Sequence, residues 1–186
     1  MDFRVRTINR VYYFSNPEFD FVEPKVLYED QFKHYFSNDA MDVFRNATDT
    51  VQAKIDELYK NDGNLRVIHN DLHQWNVKVY RGRIFALDFE DLMWGYPIQD
   101  IATSLFYIRW DDRFEEFFEA YYRGYTSVNK WPESHPGQLE TFIIGRALML
   151  MNFVVQSPEP EDQAYAPGYI NRIQERTKAF LDSVQF

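Results

Sequence analysis

Between Val67 and Ala102 the chain gathers His69, Asp71, His73, Asn76, Asp88, Glu90, Asp91 and Asp100, set beside short apolar runs. An Asp five residues ahead of an Asn, in a loop leading into a strand, can turn both side chains toward one cavity. The runs NVKVY at 76–80 and RIFALDF at 83–89 are separated by Arg81-Gly82. That two-residue step suits a tight hairpin with Gly82 at positive φ. The returning strand then brings Asp88 back beside Asn76. Both residues offer hard oxygens that suit Mg²⁺, which takes a few carboxylate or amide ligands plus water and phosphate. Asp71 is left to accept a proton from a hydroxyl. One proton acceptor and two metal ligands at the mouth of a hairpin are the parts that phosphoryl transfer requires.

The elements that must position these groups follow from periodicity. LRVIH at 65–69 reads as a short buried strand entering the loop. Val77 and Val79 alternate with Lys78 and Tyr80, the pattern of a half-buried strand. Ahead of the loop, a helix is expected from an N-cap at Asn38 or Asp39 to about Lys60. Phe44, Ala47, Val51, Ile55 and Leu58 form its apolar stripe, and Asn61-Asp62-Gly63 ends it. After Pro97 the chain turns helical, with expected helices from Asp100 to about Trp110, Asp111 to about Tyr125 and Gln138 to about Val155. The last of these is apolar nearly all round and so is expected to be the most buried. The stretch at 157–168 reads as a loop, and a final amphipathic helix uses Ile170, Ile173, Phe180, Leu181 and Val184. Residues 1–36 are aromatic and broken by Pro17 and Pro24, without a clean period.

The 186 residues suit one domain with a sizeable core. Apolar residues at 45% and charged residues at 26% make an ordinary globular composition; aromatics at 18% are high. A formal charge of −9 repels phosphate backbones and anionic lipid, so neither a nucleic-acid nor a membrane partner is expected, and a cationic or metal-bearing ligand is favoured. With no Cys, disulfides, thiolate zinc sites and thiol chemistry are excluded. MDFRVRTINR has no apolar stretch of signal type, and no apolar run of the membrane-spanning length of about 18 stands out, so a cytoplasmic location is expected.

The order His69-Asn70-Asp71-Leu72-His73-Gln74-Trp75-Asn76, Leu87-Asp88-Phe89-Glu90-Asp91, Gly95-Tyr96-Pro97 and Asp100-Ile101-Ala102 resembles a known family. The match is to the aminoglycoside phosphotransferase and choline/homoserine kinase group of the protein-kinase-like fold. That group carries H-G-D-L-H-x-x-N, I-D-F-(G/E/D), a Gly-x-Pro and an Asp-(I/L)-Ala. Any one block is weak, but four in order at close to the right spacing are specific. The resemblance implies an α+β large lobe, mostly helical, with a small β-hairpin bearing the active site. It implies Asp71 as catalytic base, Asn76 and Asp88 as Mg²⁺ ligands, and ATP as phosphoryl donor. His69 and Asp100 would support the loop. The acceptor would be a hydroxyl of a small molecule. Aminoglycoside, choline-like amine, homoserine-like amino acid and sugar all fit, with the acidic balance favouring a cation.

The likeness covers roughly residues 40–186, which divide into a catalytic core at 39–105 and a helical acceptor-side part at 106–186. Residues 1–38 are placed at the expected lobe interface. No Gly precedes Gly63, so a glycine-rich phosphate loop is impossible ahead of the catalytic loop. Neither Lys25 nor Lys33 sits in a strand of the phosphate-lysine type. The chain reads as the large lobe alone, with the small nucleotide lobe absent. Such a lobe on its own would be inactive and would associate with the missing lobe or with itself. Trp75 replaces the small residue usual before the Asn and could stand as a wall of the acceptor pocket. His73, Glu90 and Asp91 are open between acceptor or metal contacts and simple loop residues.

Two other functions compete. A degenerate lobe could act as a binding module, although retention of Asp71, Asn76 and Asp88 argues against decay. His69-x-Asp71-x-His73 could form a hydrolase metal cluster. Only His34 and His135 remain to complete it, and both read as surface or packing residues.

Overall fold

The computed structural model describes residues 25–27, 29–60 and 65–184. Two compact units divide them, one over 65–143 and one combining 25–60 with 144–184. The aromatic run from Tyr12 to Val22 and the Asn61-Asp62-Gly63 stop lie outside the described residues.

In the second unit, α1 (Asn38–Tyr59) is opened by Ser37, whose hydroxyl accepts the Ala40 N–H at 3.1 Å. The cap is therefore Ser37, one residue earlier than expected, because its shorter side chain reaches back to the first-turn amides. Ala40, Phe44, Ala47, Val51, Ile55 and Tyr59 are buried along one stripe, packed against α5 (Pro160–Val184). Asp39 adds a 2.7 Å ion pair to Lys178 of α5. The expected loop at 157–168 is a correction: α5 already begins at Pro160 and runs through Pro167. Proline at a helix start costs nothing, since its missing N–H has no partner there. Pro167 does remove one internal bond, and burial of Ala166, Tyr169, Ile170 and Ile173 around it offsets the loss.

The helix α4 (Gln138–Gln156) begins in the first unit and continues in the second. At 19 residues and a mean hydropathy of 1.3, it has the length and composition of a membrane span, contrary to the expectation that no apolar run reaches that length. Ile143, Ile144, Ala147, Leu148, Met151 and Val155 are nonetheless buried inside the protein, as a core helix requires.

The first unit is built on two small antiparallel sheets. β1 (Arg66–Ile68) pairs with β4 (Met93–Gly95), and β2 (Val77–Tyr80) pairs with β3 (Arg83–Ala86). The β4 strand was not legible in advance, because three residues are too few to show a period. Gly95 sits opposite Arg66 in this register. A Cβ on Gly95 would meet Ile68 Cδ1 at 2.5 Å and Gln99 Oε1 at 2.7 Å. Gln99 is itself committed, accepting the Tyr96 N–H at 2.6 Å to close the start of α2 (Pro97–Ile108). Gly95→Ala should therefore cost about 1–3 kcal/mol through overpacking, read as a lower urea midpoint. A midpoint equal to that of the unmodified chain would show that Ile68 and Gln99 can move aside.

Three further expectations are corrected. β3 stops at Ala86 rather than reaching Phe89, because Asp88 turns to φ 60° and leaves the strand region. The helix α2 starts at Pro97, three residues early, with proline at its first position. The helix α3 (Phe114–Thr126) excludes Asp111 and Asp112, which lie in the turn before it, while Glu115 and Glu116 do occupy its first turn. The hairpin alternation is as read, but its burial is not. Pairs Val77↔Ala86 and Val79↔Ile84 share one all-apolar face, yet Val79 is 72% and Ile84 75% exposed. Alternation tells which residues share a face, not whether anything covers it.

Candidate active site

The strand β1 ends at buried Ile68 and delivers His69, also buried, into the loop. Asn70 follows at φ 66°, a left-handed conformation that Asn tolerates better than other side chains. It stands where the resembled pattern has Gly, and the backbone geometry accounts for both. From α2, Asp100 accepts the His69 N–H at 2.9 Å on Oδ2 and the Asn70 N–H at 2.6 Å on Oδ1. Burial pushes the Asp100 carboxyl above the usual range, with these two N–H donors opposing the rise.

His69 ties the loop to the hairpin's returning limb. A carbonyl only accepts, so the 2.8 Å contact to Leu87 O places the ring hydrogen on Nε2. Nδ1 then accepts the Asp71 N–H at 3.4 Å. Phe89 packs on the same ring at a centroid distance of 4.8 Å. With both ring nitrogens spent on backbone, His69 cannot ligate a metal, and the His-Asp-His hydrolase cluster does not form. Among the described residues no group of three His, Asp or Glu side chains could hold an ion.

Asp71 and Asn76 come together through a tight loop. The His73 N–H donates to Asp71 O at 3.0 Å and the Asn76 N–H to His73 O at 2.9 Å. Asn76 Nδ2 donates to Asp71 O at 2.9 Å and to Asp71 Oδ2 at 3.0 Å. The Leu87 N–H donates to Asn76 O at 2.8 Å, extending the β2–β3 register by one rung, and Asp88 is the next residue after that rung. Asp88 is exposed, at the positive φ already noted. Turning its amide hydrogens onto Asp71 leaves Asn76 Oδ1 as the atom for a cation. An amide oxygen and a carboxylate fit Mg²⁺, which is commonly bound through one or two such groups plus phosphate oxygens. Glu90 is exposed in the turn that follows, and Asp91 is half-buried there.

Two contributors escaped the sequence. Ser104, four residues after Asp100 and so on the same face of α2, donates its hydroxyl to Leu72 O at 2.5 Å. Asp100 and Ser104 therefore grip the loop backbone on either side of Asp71. The one available signal was a serine one helical turn after Asp100. Tyr107, a further residue along α2, stands edge-on to His73 at 4.6 Å and to Trp75 at 5.5 Å between centroids. Trp75 is 63% exposed beside them. Behind Ser104, burial raises the Tyr121 phenol of α3, opposed by its hydrogen bond with Ser104.

A carboxylate hydrogen-bonded to an amide at the base of a hairpin, in a loop clamped from one helix, supplies a proton acceptor next to an amide oxygen, the kinds of group that phosphoryl transfer uses. Residues 20–136 match the phosphotransferase enzyme family, and the chain belongs to that family. It is 28% identical over 135 residues to amicoumacin kinase of Bacillus subtilis (strain 168), an alignment covering 68% of this chain and 40% of that protein. Among solved structures, it resembles a microcompartment-associated aminopropanol kinase with a TM-score of 0.74 and 20% identity, over 95% of this chain and 54% of the other. A second, amicoumacin kinase hAmiN in complex with AMP-PNP, Ca²⁺ and Ami, gives 0.62 and 20%, over 90% and 54%. The fold is thus protein-kinase-like and mostly helical, as the resemblance implied. The chain spans about half the length of these solved relatives.

Proposed function

We propose that the complete protein transfers the γ-phosphoryl group of ATP, with Mg²⁺, to a hydroxyl on a small amine-bearing molecule. The observation that carries this reading is the Asp71–Asn76 hydrogen bond, with Asp88 one residue past the Leu87–Asn76 rung. Asp71 would take the proton of the acceptor hydroxyl as its oxygen attacks the γ-phosphorus and ADP leaves. Asn76 and Asp88 would hold the cation, whose charge offsets that of the phosphates. One solved relative is an aminopropanol kinase and another was solved with AMP-PNP, Ca²⁺ and Ami, which supports a nucleotide and an amino-alcohol acceptor, and the −9 charge of this chain favours a cationic partner. The test is Mg·ATP consumption across 1-aminopropan-2-ol, ethanolamine, choline, homoserine, kanamycin and ribose. Turnover confined to amine-bearing alcohols, and lost with Asp71→Asn, is expected. Turnover with ribose alone would overturn the acceptor class.

The 186-residue chain alone is proposed to be incompetent. Phosphoryl transfer is mostly positioning and charge neutralisation, and both ends of the triphosphate must be held. The solved relatives contain nearly as much chain again, and the apolar Val79–Ile84 face stands open to solvent. Calorimetry should show no ATP binding at micromolar concentrations, and sedimentation should show self-association through such apolar surface. A monomer that binds micromolar ATP and turns it over would sink this part of the reading.

A further inference from the structure

We propose that His73 is a positioning residue for Asp71, not a contact for metal or acceptor. The argument is one of hydrogen counting. His73 Nε2 lies 3.3 Å from Asp71 Oδ2 and 3.4 Å from Asn76 Nδ2. The Asn76 amide has two hydrogens, and two nearer acceptors take them, Asp71 O at 2.9 Å and Asp71 Oδ2 at 3.0 Å. None remains for His73. If Nε2 were bare, its lone pair would face a carboxylate oxygen. Its hydrogen would then sit on Nδ1, which is buried without a partner. An unmatched buried N–H is the costlier arrangement, since a donor stripped of water has lost a bond outright. Both problems vanish when Nε2 carries the hydrogen and donates it to Asp71.

Asp71 Oδ2 then accepts from two side chains, Asn76 and His73, approaching from two different residues of the same loop. Two donors on one oxygen set the plane of the carboxylate, and so the line along which its other oxygen meets a hydroxyl. The imidazole is held in turn by rings on two sides. Tyr107 stands at 4.6 Å and 66°, Trp75 at 5.4 Å and 73°. The side chain is only 13% exposed, against 21% for Asp71. Trp75 is thereby given a reason that the loop pattern did not supply: it closes the packing around the histidine that aims the carboxylate.

The role of Asp71 rests on the phosphotransferase reading, but the bond does not, and the test reads the bond alone. Nitrogen-15 correlation spectra of the imidazole rings of the 186-residue chain, which has four histidines, can be assigned by single substitution. His73 should show a protonated Nε2 and a bare Nδ1, and its Nε2 signal should shift in Asp71→Ala. In His73→Phe, which keeps the ring contacts, the Asp71 carboxyl carbon-13 signal should move. In His73→Gln, whose amide can again donate, it should return toward its original position. A hydrogen on Nδ1, or an Asp71 signal indifferent to both substitutions, would overturn the proposal. Should the bond be found and no acceptor ever be phosphorylated, the phosphotransferase reading fails while the bond stands.

Discussion

Asp71→Asn should lower phosphoryl transfer by about 10²–10⁴-fold in the complete enzyme while leaving Mg·ATP affinity within about threefold. The substitution is nearly isosteric, so the loop bonds from Asn76 to the Asp71 backbone carbonyl and from His73 N–H to that same carbonyl survive. What is lost is the capacity to take a proton, which matters only as the acceptor hydroxyl reacts. The nucleotide, held through the cation side of the site, should be indifferent. Asp88→Asn makes the contrasting control, because it weakens a cation ligand and should raise the apparent KM for Mg·ATP as well. Equal turnover by Asp71→Asn and the unmodified enzyme would remove the base from Asp71. A loss of nucleotide affinity equal to the loss of turnover would place Asp71 on the cation instead.

Asp100→Ala should destabilise the first unit by about 2–6 kcal/mol, since two loop N–H groups lose their acceptor at about 1–3 kcal/mol each. The groups are the amides of His69 and Asn70, bonded at 2.9 and 2.6 Å. The pH dependence has a definite sign. Burial raises the folded carboxyl above its unfolded value, so the folded chain binds more protons in the window between the two. Stability from Asp100 is therefore greatest below the unfolded carboxylate pKa and declines as pH rises through the window. The cost of Asp100→Ala should be larger in acid than at neutrality, opposite to a carboxylate held by a salt bridge. Urea unfolding of both chains at pH 3 and pH 7 measures it, one condition below and one well above the ordinary carboxylate value of about 4. A cost that grows with pH would mean that the two N–H donors outweigh desolvation.

Legibility differed sharply between the two kinds of loop residue. Asp71, Asn76 and Asp88 could be picked out because their chemistry demands particular side chains at particular spacings. Ser104 and Tyr107 could not, since a hydroxyl on a loop carbonyl and a ring against an imidazole leave no spacing rule along the chain. The long helices were readable from their stripes, and their ends less so. Ser37, Pro97 and Pro160 each start a helix one to three residues or more ahead of the first periodic apolar residue, where no side-chain pattern has begun.

By itself the amino-acid order determined the family motifs around Asp71 and Asp88, the hairpin and its two faces, the apolar stripe of α1 and the apolar length of α4, because each is a local repeat or a local turn. The tertiary structure alone decided which face of the hairpin is open, that Asp100 and Ser104 close on opposite sides of Asp71, and that His69 turns Nε2 to the Leu87 carbonyl. The bonds from Asp100, Ser104 and His69 reach 18 to 32 residues along the chain, and a hydrogen bond at that range is a fact of geometry, not of spacing.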